Sequence, residues 1–328
     1  MTLETVQPSS SHYSTAPATI LQRIVQSTTS PKTSAAPQEL RLLFLGCESQ
    51  PPYGPYEHTA TLFLDLICRA LETTTMEDRA YHVMIDVYHV SKHHFPPHDA
   101  LDDYQGVILP GSFNSAYDSE PWIIELSKLI QEELVAKQRP TLGVCFGHQL
   151  YAHSFPDGGA IKCPAGPQAG RKISKLTPMG QQWLHGNNSS TDNLTTTGLQ
   201  LYYTHGDMVE KLPPQGHCLG GTQEVPIQAA IYLSSTDQKP IAITFQAHPE
   251  YAASRSLGLQ GTLNPIMKAM NDRKDISDQE LERATEDASK EFEAVEAHSI
   301  QTMITVGRLL GWFPPVDQQN SQETPHTK

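Results

Sequence analysis

Charge is scarce in this chain of 328 residues: Asp, Glu, Lys and Arg make up 18%, and the 23 basic residues are outnumbered by 36 acidic ones. A formal net charge of −13 argues against a nucleic-acid-binding surface spread over the whole protein. Apolar residues are few as well, at 38%, which points to polar, uncharged segments diluting a domain of ordinary composition. No apolar run approaches the roughly 18 residues that cross a bilayer. Neither GxxxxGKS/T nor GxGxxG occurs, so no motif supports nucleotide binding. The five cysteines (Cys47, Cys68, Cys145, Cys163 and Cys218) are odd in number, widely spaced and without a CxxC pair. They fit neither a disulfide scaffold nor a zinc knuckle, and they suggest a reducing compartment. A secretory signal, with its basic start and long apolar core, is missing too. These absences predict a soluble, acidic, cytoplasmic protein that binds neither nucleic acid nor membrane.

Much of the dilution falls in residues 1–39, rich in Ser, Thr, Pro and Ala, which read as a disordered tail. Arg23 and Lys32 are thin support for a mitochondrial presequence, and Glu4 opposes it. From residue 40 the pattern changes. LRLLFLG (40–46), YHVMIDVYHV (81–90) and QGVILPGS (105–112) read as strands, with helical spacing over 60–72 and 121–137 between and after them. TLGVCFGHQLYAHSF (141–155) reads as strand, sharp turn, helix. Strands alternating with helices imply an α/β fold of three layers: a mostly parallel central sheet with helices on both faces. The second half looks more antiparallel, with candidate strands at 171–176, 199–203, 227–233 and 241–247. The polar loop 186–198 carries sequons at Asn187, Asn188 and Asn193. Ser277-x-x-Glu280 is a capping box opening a helix to about residue 298, with eight acids against Arg283 and Lys290 between 278 and 296. A solvated helix face is the expectation there. The chain divides into a tail (1–39), a domain (40–260), a C-terminal helical extension (261–313) and a second tail (314–328).

The chemistry concentrates in Gly143-Val144-Cys145-Phe146-Gly147-His148-Gln149. This is the G-x-nucleophile-x-G spacing of a nucleophile elbow with Cys in place of Ser. The nucleophile sits in strained dihedrals on a strand-to-helix turn, and side chains at positions 143 and 147 would strike neighbouring backbone. The helix N-terminus favours the thiolate, and the Phe146 N–H would face a developing oxyanion. A buried packing Cys would explain GxCxG alone. However, Gln246-Ala247-His248-Pro249-Glu250 follows the apolar strand IAITF, and a carboxylate two residues from a His across a stiffening Pro can orient the imidazole. Cys145, His248 and Glu250 then serve as nucleophile, proton carrier and orienter.

GVCFGHQ and QAHPE resemble the nucleophile and His–Glu motifs of the class I glutamine amidotransferases. ILPGSFNSAYD (108–118) resembles the family's glycine loop, with Gly111 or Ser112 as second oxyanion donor beside Phe146. THGDMV (204–209), with His205 and Asp207, resembles a segment of the branch holding GMP-synthase-type glutaminase domains and free-standing γ-glutamyl peptidases, as do PWI and HPEY. The resemblance spans roughly residues 40–255. It implies that Gln149 touches substrate and that glutamine is hydrolysed through a γ-glutamyl thioester on Cys145. No metal or organic cofactor is implied.

Three readings of function follow. The first is a free-standing glutaminase-type enzyme supplying ammonia for amidation of a small metabolite, secondary metabolism included. A separate ATP-dependent ligase or synthetase would then be the acceptor. The second is a γ-glutamyl peptidase acting on glutathione-type conjugates, and the third a non-catalytic binding module, which the intact triad disfavours. His148 reads as packing, and Cys47 as an ordinary buried thiol. The cluster His89, His93, His94 and His98 lacks the spacing of a metal site.

Overall fold

The computed structural model describes residues 14, 16–26, 36–74, 80–185 and 198–314. The sequons of the polar loop and the tail beyond residue 314 lie outside the described residues. In chain order the first half runs β1 (Thr19–Val25), β2 (Gln38–Leu45), α1 (Tyr56–Thr73), β3 (Tyr81–Tyr88), β4 (Gly106–Leu109), α2 (Pro121–Leu129), β5 (Thr141–Val144) and α3 (Phe146–His153). The second half adds β6 (Gly159–Lys162), β7 (Gln168–Leu176), the short α4 (Pro178–Gly180), β8 (Leu199–His205), β9 (Asp207–Lys211), β10 (Gly216–Gly221), β11 (Ala229–Leu233) and β12 (Pro240–Phe245). Three helices close it: α5 (Asn264–Asp272), α6 (Asp278–Lys290) and α7 (Phe292–Leu309).

Among the described residues ten strands form one sheet, in the order β1-β3-β2-β4-β5-β12-β11-β10-β7-β8. The five from β3 to β12 are mutually parallel. β1 flanks them antiparallel on one edge, and β11, β10, β7 and β8 continue antiparallel on the other. β6 and β9 pair separately. Parallel strands are covered on both faces, which explains why the first one reads as an unbroken apolar run. In β2, Leu40, Leu42 and Phe44 pack with Phe63 and Ile67 of α1, while Leu43 and Leu45 pack with Leu126 of α2 and Leu150 of α3.

Within residues 1–39 the structure corrects the disordered reading at Thr19–Val25, which forms β1. It pairs along its length with β3, from Thr19↔Val87 to Val25↔Tyr81. Thr19 donates to Glu57 at 2.9 Å, and Arg23 pairs with Asp65 at 2.6 Å. Tertiary pairing makes this strand; its own composition does not announce it, since Ile20 and Ile24 lie exposed.

The C-terminal residues 261–313 are not peripheral to the core. Met303, Val306, Leu310 and Trp312 join the cluster on the α1 face of the sheet. A Cβ on Gly106 of β4 would lie 2.1 Å from Nε1 of Trp312, so the central strand needs glycine to admit that ring. The expected capping box opens α6. The acidic helix ends sooner than expected, at Lys290, and α7 follows directly. The acids of α6 and the start of α7 are only partly given to solvent. Arg171 grips Asp287 with two bonds of 2.8 and 2.7 Å, Arg255 meets Glu293 at 2.6 Å, and Arg69 meets Glu296 at 2.6 Å.

Candidate active site

The predicted residues converge outside the carboxyl ends of the parallel strands, where open α/β sheets place their ligands. Cys145 follows β5 directly and takes φ +52° and ψ −107°, a strained turn for a side chain other than glycine. The flanking glycines have the steric role expected of them. A Cβ on Gly147 would stand 2.1 Å from the Leu109 carbonyl oxygen, and one on Gly143 would stand 2.8 Å from Cγ2 of Thr244. The turn is fixed by Cys145 N–H donating to the Phe245 carbonyl at 2.8 Å and Gly147 N–H to the Pro110 carbonyl at 3.1 Å. Phe146 is the first residue of α3, so its N–H has no acceptor within the helix.

His248 caps a single turn after β12, its backbone N–H donating to the Tyr202 carbonyl at 2.8 Å. Nδ1 lies 2.7 Å from Oε1 of Glu250, and both side chains are 1% exposed. The ring lies flat on Tyr251, with centroids 4.2 Å apart and planes 4° from parallel. Burial draws the imidazole pKa down, but the Glu250 charge, the Cys145 sulfur and hydrogen bonds to both outweigh it and hold the value near 10. Gly111 follows β4 and abuts this pair. A Cβ there would lie 3.1 Å from Cε1 of His248, 3.6 Å from Cβ of Cys145 and 3.7 Å from the Tyr53 hydroxyl. Ser112 turns its hydroxyl instead toward the Cys47 carbonyl at 3.3 Å and Asn114 at 3.4 Å, so its side chain braces the loop.

The remaining predicted residues line a cavity of about 210 Å³ in front of Cys145, small beside the roughly 300–1,000 Å³ of drug-sized sites. Gln149 donates to the Asp207 carbonyl at 2.9 Å and to Gln246 Oε1 at 3.0 Å. Asp207 receives the hydroxyls of Ser115, at 2.5 Å, and Tyr117, at 2.9 Å. His205 is buried with its pKa lowered to about 3, burial being the main cause. A neutral ring must donate through Nδ1 to the Asp207 carbonyl at 2.8 Å, which leaves the buried Nε2 as an acceptor without a partner.

Sequence reasoning missed the outer wall: Tyr53 before α1, Phe113 of the glycine-loop segment, and Ile266, Met270, Arg273 and Asp275 from α5 and its following turn. Of these only Phe113 falls within a motif, and nothing in that motif singles it out. Glu48 was missed too. Its carboxylate accepts from Ser49 and Gln50 N–H at 2.8 Å and from Phe113 N–H at 3.3 Å, tying the end of β2 to the glycine loop.

The other candidates fall into packing. His148 bonds Thr244 at 2.7 Å and the Ile227 carbonyl at 3.2 Å, with its pKa lowered to about 4 mainly by burial. Cys47 is buried, its thiol pKa pushed well up first by burial and then by Glu48, and it donates to the Leu45 carbonyl. His89 meets Glu57 and His98 meets Glu133, while His94 donates to the Ala16 carbonyl. Among the described residues no group of three or more His, Cys, Asp and Glu is placed to hold a metal ion, and no helix is long and apolar enough to cross a membrane.

Comparison with known proteins agrees with this geometry. Over 209 residues the chain is 27% identical to γ-glutamyl peptidase 2 of Arabidopsis thaliana, covering 63% of this chain and 75% of that one. Over 169 residues it is 29% identical to the glutamine-hydrolyzing GMP synthase of Porphyromonas gingivalis, covering 50% of this chain and 29% of that protein. The fold is shared with a glutamine amidotransferase from Thermotoga maritima at a TM-score of 0.58 and 17% identity, covering 83% and 98% of the two chains. The family model for class-I glutamine amidotransferases matches residues 66–257, more than half of the chain. This protein therefore belongs to the class-I glutamine amidotransferase family, as an enzyme of the cysteine amidohydrolase type.

Proposed function

We propose that the protein hydrolyses γ-glutamyl amide bonds through a γ-glutamyl thioester on Cys145, and that it does so as a free-standing enzyme. The observation that carries this reading is the buried His248–Glu250 pair, closed at 2.7 Å, set beside a cysteine on a strained elbow. Glu250 accepts from Nδ1–H and so turns Nε2 to the chemistry. Cys145 passes its thiol proton to Nε2 of His248 as its sulfur attacks the γ-carbonyl carbon, and the resulting oxyanion accepts from the N–H groups of Phe146 and Gly111. The C–N bond breaks as His248 gives its Nε2 proton to the leaving nitrogen. A water molecule then yields a proton to Nε2 and attacks the thioester, releasing glutamate and the free thiol. Gln149 keeps its Oε1, and His205 its Nε2, to accept from the substrate's glutamyl part, while Asp207 anchors both through its backbone carbonyl. Every step uses side-chain and backbone groups of this chain and water.

A second reading takes glutamine as substrate and passes its ammonia to a separate ATP-dependent ligase or synthetase. The match to GMP synthase favours it. The structural observation on the other side is the wall of α5 residues around the cavity, which a leaving group as small as ammonia would not use. The test is steady-state glutamate release from glutamine and from γ-glutamyl dipeptides by the wild type and by Cys145→Ser. Loss of turnover to background in a variant that unfolds like wild type is the expected result. A Cys145→Ser enzyme as fast as wild type, or a wild type inert on every γ-glutamyl compound, would overturn the proposal.

A further inference from the structure

The cavity has two unlike walls, and the chemistry decides which part of the substrate faces each. The leaving nitrogen must meet His248, which lies with Cys145 and the Tyr53 hydroxyl around Gly111, all within 3.7 Å of the point where a Cβ would stand. Tyr53 therefore begins the leaving-group side. From it the wall runs outward through Phe113, set edge-on to Tyr53 with centroids 4.6 Å apart, to Arg273, whose guanidinium lies 5.4 Å above the Phe113 ring. Ile266 and Met270 of α5 complete it with apolar surface. Gln149, His205 and Asp207 form the other wall.

Resting on the γ-glutamyl reading above, we infer that Arg273 recognises a carboxylate on the leaving amine, so that the preferred substrate is a γ-glutamyl peptide with a free C-terminus and an apolar side chain. Phe113 is 41% exposed although it packs edge-on against Tyr53, an aromatic surface left open beside a cation. Asp275 Oδ2 accepts from Nε of Arg273 at 2.9 Å and lies 2.9 Å from one terminal nitrogen. That contact orients the guanidinium and leaves its other terminal nitrogen to donate to a carboxylate, which a lysine does not reproduce. An extended chain rises about 3.5 Å per residue, so a leaving group of one or two residues carries its carboxylate outward along this wall, whereas ammonia reaches none of it. Ile266, Met270, Arg273 and Asp275 sit on α5 and its turn, beyond the matched family region that ends at residue 257, while Tyr53 and Phe113 come from the first half of the chain.

The test compares kcat/KM for a γ-glutamyl dipeptide ending in a free carboxylate with that for the same dipeptide ending in an amide, in wild type, Arg273→Gln and Arg273→Lys. Wild type should prefer the acid at least tenfold, chiefly through KM. Arg273→Gln should erase the preference, and Arg273→Lys should restore part of it. A wild type without preference, or an Arg273→Gln enzyme that keeps it, overturns the inference. Equal losses on acid and amide would also overturn it, since they would mark Arg273 as structural only. Turnover of glutamine with neither dipeptide cleaved rejects the inference while sparing the Cys145 thioester; a wild type inert on all three rejects both.

Discussion

Replacing Glu250 by Gln should move the proton chemistry of the whole site, and the structure gives the size of the effect. In the native protein His248 is fully buried, and burial is the largest single influence on it, drawing its pKa down. The Glu250 charge is the largest influence in the opposite direction, and the net value is about 10 against 6.5 for the free side chain. That distance corresponds to on the order of 5 kcal/mol of preference for the imidazolium. A glutamine can still accept from Nδ1–H, so the ring keeps its orientation but loses the anion. Burial then prevails, and His248 should titrate well below 10. Two consequences can be read separately. The alkaline limb of kcat/KM should move to lower pH, with the rate near pH 8 down by about 10²–10⁴, the span typical of a displaced acid–base group. The stability contribution should change as well. A raised pKa stabilises fully below about pH 6.5 and is lost as the pH climbs through about 10, so the native protein should weaken over that interval and Glu250→Gln should not. The assay is a pH profile of hydrolysis and of urea midpoints for both proteins. An unchanged alkaline limb in a folded variant would refute the assigned role of Glu250.

Trp312→Ala should destabilise the whole domain by about 3–5 kcal/mol, because the ring is buried against Gly106 of the central strand; urea unfolding that stays within about 0.5 kcal/mol of wild type would show the C-terminal segment to be dispensable. Gly147→Ala should be far more damaging than Gly143→Ala. Its methyl would meet the Leu109 carbonyl at 2.1 Å, whereas at 143 the nearest atom is a side-chain methyl at 2.8 Å; comparable expression, stability and activity of the two would contradict the elbow packing. His148 and His205, held near 4 and 3 by burial, bind protons more readily when unfolded. Stability should therefore fall as the pH drops from about 6.5 toward 4, each ring contributing up to about 1.4 kcal/mol per pH unit. Urea midpoints at pH 6.5 and 4.5 should differ less for His148→Gln than for wild type.

What was legible in the sequence was whatever short-range sterics dictate. Gly143 and Gly147 announce the elbow because backbone atoms of Leu109 and Gly147 itself occupy the space a Cβ would need. The His-Pro-Glu spacing fixes the 2.7 Å contact locally, within one turn. Leu42 through Leu45 read as a buried parallel strand because both faces are covered. What escaped was set by distant partners. β1 is a strand because β3 offers it an edge, and β6 and β9 are short segments that find each other far along the chain. Trp312 and Arg273 reach the central strand and the cavity mouth from the C-terminal helices, and nothing in their immediate neighbours shows where those helices dock.

The central claim is that Cys145 is the nucleophile, and covalent labelling tests it most directly. A glutamine-like diazoketone should modify the native protein once, with peptide mapping placing the label on Cys145 and turnover lost in step. Cys145→Ala should take no label and have no turnover. The buried Cys47, whose thiol burial and Glu48 push well above its ordinary pKa, should stay unmodified in both proteins. A label on Cys47 or another cysteine, with hydrolysis surviving in Cys145→Ala, would contradict the account.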